Sequence, residues 1–128
     1  MLSDSDFVII TLPHTPETHH LFDRAKFQKM KKSSVIVNIG RGGIINEPDL
    51  VEALENGTIA GAGLDVTEVE PLPAHSPLWA MDNVIITPHH SGLSHKYMDR
   101  AVELLCKNMK AYFAKKPLHT AVDKKLGY

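Results

Sequence analysis

Four short apolar runs, separated by stretches of helical periodicity or by loops, constrain the fold of this chain more than any other feature. They predict strands over residues 7–12, 35–38, 61–64 and 84–87. Strands that alternate with helices are typical of βαβ units, in which right-handed crossovers join parallel strands. The pattern therefore predicts an α/β fold with about four strands in a parallel, doubly wound sheet.

Start and stop signals place two helices between these strands. Asp23 is a predicted N-cap for a short helix over 23–30, and Asn46 is a predicted N-cap for a helix over 47–56. Gly57 just past the second helix is a typical stop signal. The first strand is apolar throughout, which predicts that both of its faces are buried.

A long amphipathic helix is predicted over residues 94–115. Its apolar side chains recur on one face at helical spacing: Tyr97, Ala101, Leu104, Leu105, Met109, Tyr112 and Phe113. The lone Cys106 falls within this helix, where we expect it to be a small buried hydrophobic residue. Residues 117–128 are polar and without periodicity, as in a tail or a strap onto another surface.

Composition excludes several classes of function. The chain has 128 residues, which suits one domain, and its net charge of −1 comes from interspersed charges of both signs. Neither a nucleic acid nor a membrane surface is therefore an expected partner. No apolar run approaches the roughly 20 residues of a membrane span, and residues 1–6 are acidic, unlike a signal peptide. With a single cysteine, the expected location is the reducing cytoplasm.

A polar or kinked position follows each predicted strand: Pro13, Arg41, Asp65 and His89. In open parallel sheets, ligands bind outside the carboxyl ends of the strands. Because those ends share one edge of the sheet, we expect the four positions to converge on one site.

Two of these positions carry side chains suited to chemistry on a carboxylic acid. Arg41 lies between Gly40 and Gly42, which let a ligand approach closely, so its guanidinium could grip a carboxylate in bidentate fashion. The alternative interpretation of Arg41 is a surface arginine in a glycine turn, with no ligand to bind. His89 follows Pro88 and is suited to exchanging a proton near neutral pH. A structural histidine is again the alternative.

Carboxylates near His89 offer a partner for its ring. A carboxylate bonded to the far nitrogen would orient the imidazole. Glu68 and Glu70 are both candidates, and the residues alone leave the choice open. Asp65 ends its strand as a buried carboxylate, which must find hydrogen-bond donors. These donors could come from a cofactor amide, a helix N-terminus or backbone amides.

Two other motifs point to no site. The histidines His14, His19 and His20 match no tetrahedral zinc spacing, so no metal is predicted. The glycines fail the dinucleotide fingerprint, because Ile45 and Val66 stand where a third glycine belongs. The loop that cradles phosphates is therefore missing from these 128 residues.

Four segments resemble, in order and at matching separations, the motifs of D-isomer-specific 2-hydroxyacid dehydrogenases: residues 11–18, 38–43, 61–73 and 87–92. The first is similar to that family's L-P-x-T-x-x-T stretch, and the others to its arginine, glutamate and histidine motifs. The resemblance implies a Rossmann-like fold and hydride transfer between NAD or NADP and carbon 2 of a small 2-hydroxy or 2-keto acid. It also implies a homodimer for the full-length protein.

The resemblance assigns a role to each candidate residue. Arg41 would bind the substrate carboxylate and carbonyl, and His89 would exchange the hydroxyl proton. Glu70 rather than Glu68 would pair with that histidine, and Asp65 would face the nicotinamide carboxamide. The other residues lining the NAD(P) site would be Pro13, Thr18, Ile39, Gly40 and Gly92, together with Arg41 and His89.

The resemblance also implies that part of the enzyme is elsewhere. Residues 1–115 would be the second half of an NAD(P)-binding domain, and residues 116–128 a tail returning toward an absent substrate domain. Activity of this chain alone would then be impaired. The alternatives are a non-catalytic, corepressor-like NAD-binding module and a partner subunit. Thr67 and His90 replace an aromatic and an aliphatic residue of the motifs, at positions that we interpret as peripheral.

Overall fold

The computed structural model describes residues 1–126, which form two compact units divided between Ser91 and Gly92. The first unit is built on a four-stranded parallel sheet. In spatial order its strands are β1 (Phe7–Ile10), β2 (Val35–Asn38), β3 (Gly61–Leu64) and β4 (Val84–Ile86). Each neighbouring pair is parallel, which confirms the predicted α/β fold.

Helices α1 (Arg24–Phe27) and α2 (Glu47–Glu55) connect the first three strands. Both predicted caps are present: the side chains of Asp23 and Asn46 each accept a backbone N–H three residues on, at 3.0 and 3.1 Å. Helix α2 is close to its predicted extent. Helix α1 is a single turn, because the chain that follows it continues in tighter turns closed by i→i+3 hydrogen bonds.

The core of the first unit lies between the helices and one face of the sheet. The register places alternate residues of each strand on this face, where they join side chains of both helices in one cluster. The buried cluster includes Ile10, Phe27, Ile36, Leu50, Leu54 and Leu64. Packing on this face fixes the strand ends that carry the candidate site.

The opposite face of the sheet is open to solvent. The register places Ile9, Val37, Gly63 and Ile85 side by side on it, and Ile9 and Ile85 are 61% and 72% exposed. The prediction that the first strand is buried on both faces is therefore wrong. Strand β1 lies at the edge of the sheet, and the helices that follow it cover only the other face.

The second unit contains helix α3 (Tyr97–Phe113), which is shorter at both ends than predicted. Its predicted apolar face is largely exposed, with Tyr112 at 70% and Phe113 at 75%. Cys106 is also exposed, so the prediction that it is buried is wrong. Helical spacing identifies an apolar face, but nothing in the described part of this unit, residues 92–126, covers it.

The segment after helix α3 turns back onto that helix. Asn108 Nδ2 donates to Thr120 Oγ1 at 2.8 Å, and Asn108 Oδ1 accepts from the His119 N–H at 2.9 Å. The assignment of residues 1–115 and 116–128 to a partial domain and a tail stays a prediction, and residues 127–128 lie outside the described part. Within residues 1–126, no helix is both long and apolar enough to cross a membrane.

Candidate active site

The turn after β2 presents Arg41 and is held by a buried side chain. Asn38, 1% exposed, donates from Nδ2 to the Arg41 carbonyl and accepts at Oδ1 from the Gly40 N–H, both at 3.0 Å. A Cβ on Gly42 would overlap the Thr67 carbonyl, so the two loops touch at this glycine. The Arg41 guanidinium donates to the Gly40 carbonyl at 2.8 Å and has no carboxylate partner among residues 1–126.

His89 and Glu70 form a hydrogen-bonded pair. His89 Nδ1 lies 2.8 Å from Glu70 Oε2, and both side chains are partly exposed. An ionised carboxylate can only accept, so Nδ1 carries the hydrogen and Nε2 of the neutral ring keeps its lone pair. Glu70 Oε1 accepts from the Thr67 N–H at 3.2 Å. Thr67 therefore helps to hold the pair and is not peripheral.

Glu68 turns away from His89. Its Oε1 lies 2.7 Å from His20 Nε2, and its Oε2 accepts from the Glu47 N–H at 3.2 Å. Glu47 Oε2 in turn accepts from the Glu68 N–H at 3.1 Å. The structure thus places Glu70 rather than Glu68 against the histidine, and Glu68 ties its loop to the start of helix α2.

Asp65 is buried and holds the loop that carries His89. Its Oδ1 accepts from the Thr87 hydroxyl at 2.5 Å and from the His90 N–H at 3.0 Å, and its Oδ2 accepts from the Ser91 N–H at 2.8 Å. Burial alone would raise the pKa of this carboxyl. The three donors outweigh burial and hold the pKa well below its usual range.

The three hydrogen bonds that the Asp65 carboxylate accepts, from Thr87, His90 and Ser91, form a clamp that also constrains the His89 backbone. His89 has a φ of +51°, a left-handed conformation that is unfavourable for a residue with a side chain. Its N–H donates to the Asp65 carbonyl at 2.9 Å, beside the bonds that the Asp65 carboxylate makes to the next two residues. The donors that a buried Asp65 requires therefore come from the protein itself, and we interpret Asp65 as a positioning residue for His89.

Asp65→Asn is expected to lower the free energy of unfolding by about 2 kcal/mol at neutral pH, because an amide NH₂ facing the Ser91 N–H places two donors against each other at a partly buried site. The native carboxyl has a lowered pKa, so its contribution is complete above the unfolded-state value of about 3.9 and is lost as pH falls through the folded-state value. Asp65→Asn should therefore remove this acid-dependent loss of the free energy of unfolding.

Urea unfolding followed by circular dichroism, at neutral and acidic pH, measures both effects. The matched control is Asp82→Asn, since the Asp82 side chain is exposed and makes no hydrogen bond within the described residues. An Asp65→Asn protein that unfolds at the same urea concentration as the parent would contradict the clamp.

Two adjoining clefts bring the candidate groups together. A cleft of about 410 Å³ is lined by Arg41, Glu70 and His89, with His14 and His19 also on its wall. A second cleft, of about 630 Å³, shares Glu70 and His89 and extends past Asp65 to mainly apolar side chains: Pro71, Leu72, Trp79, Ile86 and Pro88. A group that can hold an anion and a pair that can exchange a proton therefore open into one cavity.

The remaining predicted cofactor residues lie outside the walls of these two clefts. Thr18 Oγ1 donates to the Pro13 carbonyl at 2.7 Å, so the two residues close a turn after β1. Ile39 is partly exposed after β2, and Gly40 lies close to the Leu12 backbone, so a Cβ there would come within 2.7 Å of the Leu12 carbonyl oxygen. Gly92 begins the second unit and has open space where a Cβ would lie.

Four residues of the site were not predicted from the sequence. Asn38 carries a usable signal, because a polar residue beside a glycine turn typically bonds the local backbone. Thr87 carries none, since its hydroxyl bonds Asp65, 22 residues away in the sequence. His14 and His19 were interpreted only as possible metal ligands. Among residues 1–126, no group of three or more His, Cys, Asp or Glu side chains is arranged to hold a metal ion.

Comparisons with known proteins agree on one family. Residues 1–91 match the model described as D-isomer specific 2-hydroxyacid dehydrogenase, NAD binding domain. Glyoxylate/hydroxypyruvate reductase B of Serratia proteamaculans is 51% identical over 96 residues, which are 75% of this chain and 30% of that protein.

Two crystal structures resemble the whole chain. A D-isomer specific 2-hydroxyacid dehydrogenase from Xanthobacter autotrophicus Py2, in complex with NADPH and MES, has 39% identity and a TM-score of 0.92 over 99% of this chain and 52% of the other. An NADPH-dependent glyoxylate/hydroxypyruvate reductase from Sinorhizobium meliloti, in complex with NADP and sulfate, has 36% identity and a TM-score of 0.90 over 99% and 41%. The chain thus spans about half or less of the relatives it matches.

Proposed function

Because this chain belongs to the D-isomer specific 2-hydroxyacid dehydrogenase family, we propose that it carries the proton-exchanging and anion-holding groups of an NAD(P)-dependent oxidoreductase acting on small 2-hydroxy acids. The observation that supports this most is the pair formed by His89 Nδ1 and Glu70 Oε2, 2.8 Å apart, in a cleft that Arg41 also lines.

In this proposal His89 is the general acid and base. Its Nε2 takes the proton of the substrate hydroxyl during oxidation and returns it to the carbonyl oxygen during reduction. Glu70, bonded to Nδ1, keeps the ring oriented and stabilises the imidazolium that forms. The Asp65 clamp holds the histidine backbone, so that Nε2 keeps one position.

Arg41 binds the substrate carboxylate. Its guanidinium spends one donor on the Gly40 carbonyl, and the others are available to two carboxylate oxygens at once. Asn38 fixes the backbone from which it projects. This arrangement holds carbon 2 of the substrate near His89, because both residues line the same cleft.

The larger cleft fits the nicotinamide end of NAD or NADP, since its walls are mainly apolar and its polar groups gather at the end shared with His89. Bound there, the cofactor supplies the hydride chemistry. Asp65 Oδ2 accepts only one hydrogen bond from the described residues, so Asp65 can hold the His89 loop and still meet the cofactor. We propose that Asp65, Arg41 and His89 meet the nicotinamide portion. The residues lining the rest of the site would be Pro13, Thr18, Ile39, Gly40 and Gly92. We also propose a cytoplasmic location and a homodimer, which the family resemblance implies for full-length members.

The test is a chimera in which the 96 matched residues of this chain replace their counterpart in the Serratia reductase. We expect the chimera to reduce glyoxylate or hydroxypyruvate, followed by loss of reduced-cofactor absorbance. The chain alone should reduce them poorly or not at all, because its 128 residues contain no phosphate-cradling glycine loop. A folded chimera that binds cofactor but reduces neither acid would overturn the function, and normal turnover by the chain alone would overturn the impairment.

A further inference from the structure

We propose that His14 and His19 form a second anion-binding point in the cleft of Arg41, so that the site favours three-carbon 2-hydroxy and 2-keto acids whose third carbon is also a carboxylate. This inference rests on the function proposed above and narrows its substrate class to dianions. Neither histidine has a part in the proton transfer assigned to His89 and Glu70.

The two histidines present unused polar atoms to the cleft. His14 Nε2 lies 3.0 Å from His19 Nδ1, so one hydrogen joins the two rings. His14 Nδ1 and His19 Nε2 have no other partner within residues 1–126, and both side chains are exposed on the cleft wall. The pair therefore offers an N–H donor to a ligand.

Stacking on His20 holds the pair of His14 and His19 in place. The His19 ring stacks on the His20 ring, with centroids 3.8 Å apart and planes at 24°. His20 is fixed on its far side by Glu68 Oε1 at 2.7 Å and by Asn46 Nδ2 at 3.4 Å. These contacts distinguish the pair from mobile surface histidines, because His20 anchors the ring against which His19 lies.

The pair also shares the wall of this cleft with Arg41. A Cβ on Gly43 would come within 2.9 Å of the His14 ring, so that ring rests directly on the Gly43 backbone. The His20 N–H donates to the Gly43 carbonyl at 2.8 Å and holds the two segments together. Gly43 is two residues from Arg41, a span of at most about 7 Å. A small dianion could therefore meet the guanidinium with one end and an imidazole with the other.

The two carboxylates that line this cleft, those of Glu68 and Glu70, are each hydrogen-bonded to a histidine. Glu68 is committed to His20, and Glu70 is committed to His89. Arg41 and the pair of His14 and His19 are left without a carboxylate among the described residues. A second carboxylate on the substrate gains a charge-assisted hydrogen bond that a methyl group in its place cannot make.

Two ligands of equal carbon number test the proposal: tartronate, whose third carbon is a carboxylate, and D-lactate, whose third carbon is a methyl group. Histidine ring signals of the 128-residue chain are followed by NMR during titration, with His14→Asn and His19→Gln assigning the two rings. We expect tartronate to shift both rings and to bind about tenfold more tightly than D-lactate. Each variant should lower tartronate affinity to that of D-lactate and leave D-lactate binding unchanged.

His75→Asn is the matched control, since His75 is exposed and lies on neither cleft wall, and it should change nothing. The proposal is overturned if the parent chain binds tartronate and D-lactate equally, or if tartronate shifts neither histidine ring. It is also overturned if the ratio of the two affinities is unchanged in both histidine variants. Arg41→Met separates the two hypotheses. If it abolishes binding of both ligands while the histidine variants change nothing, only the second binding point fails. If Arg41→Met changes the affinity for neither ligand, the proposed function and the second binding point both fail.

Discussion

Replacing His89 by glutamine in the chimera is expected to lower kcat for keto-acid reduction about a thousandfold. Glutamine can still offer a hydrogen bond to Glu70 Oε2, but it cannot give up and recover a proton. KM for the keto acid should change little, because Arg41 remains to bind the carboxylate. Steady-state kinetics over a range of keto-acid concentrations measure both constants.

The neighbouring His90→Gln variant is the control. The His90 backbone N–H bonds to Asp65 Oδ1, which the substitution preserves, and its side chain makes no hydrogen bond within the described residues. We expect it to keep near-parental activity. If His89→Gln instead stayed within tenfold of the parent, another group would have to exchange the proton and the assignment of His89 would be wrong.

Local signals predicted the connecting elements well. Asp23 and Asn46 cap their helices as expected, because a side-chain oxygen that accepts a nearby N–H needs nothing beyond its own segment. Gly57 adopts a φ of +64° just past helix α2, again a local requirement. The parallel pairing of the strands followed from the alternation of strands and helices.

Burial was harder to predict than secondary structure. The residues of β1 are apolar on both faces, yet Ile9 is exposed and Ile10 is buried. Helix α3 likewise has an apolar face that the described residues of its own unit leave uncovered, as Tyr112 illustrates. Periodicity reports which side chains gain from burial, but a covering element must be present for burial to occur, and periodicity carries no information on that.

The site was predictable where it depends on strand ends. Arg41 and His89 follow parallel strands and meet in one cleft, as the topology requires. The choice between Glu68 and Glu70 was not accessible to the same reasoning. It depends on reciprocal hydrogen bonds between Glu68 and Glu47, 21 residues apart, which spacing does not reveal.

Arg41→Lys in the chimera is expected to lower kcat/KM for glyoxylate about a hundredfold, because lysine keeps the charge but loses the planar fork that binds two carboxylate oxygens. Asn38 bonds only to the backbone of this turn, so the substitution leaves the loop in place and isolates the chemistry of the side chain. Arg24→Lys is the matched control, since Arg24 is a surface residue paired with Glu52. If Arg41→Lys stayed within threefold of the parent, charge alone would suffice to hold the substrate, and bidentate binding would be the wrong account of this arginine.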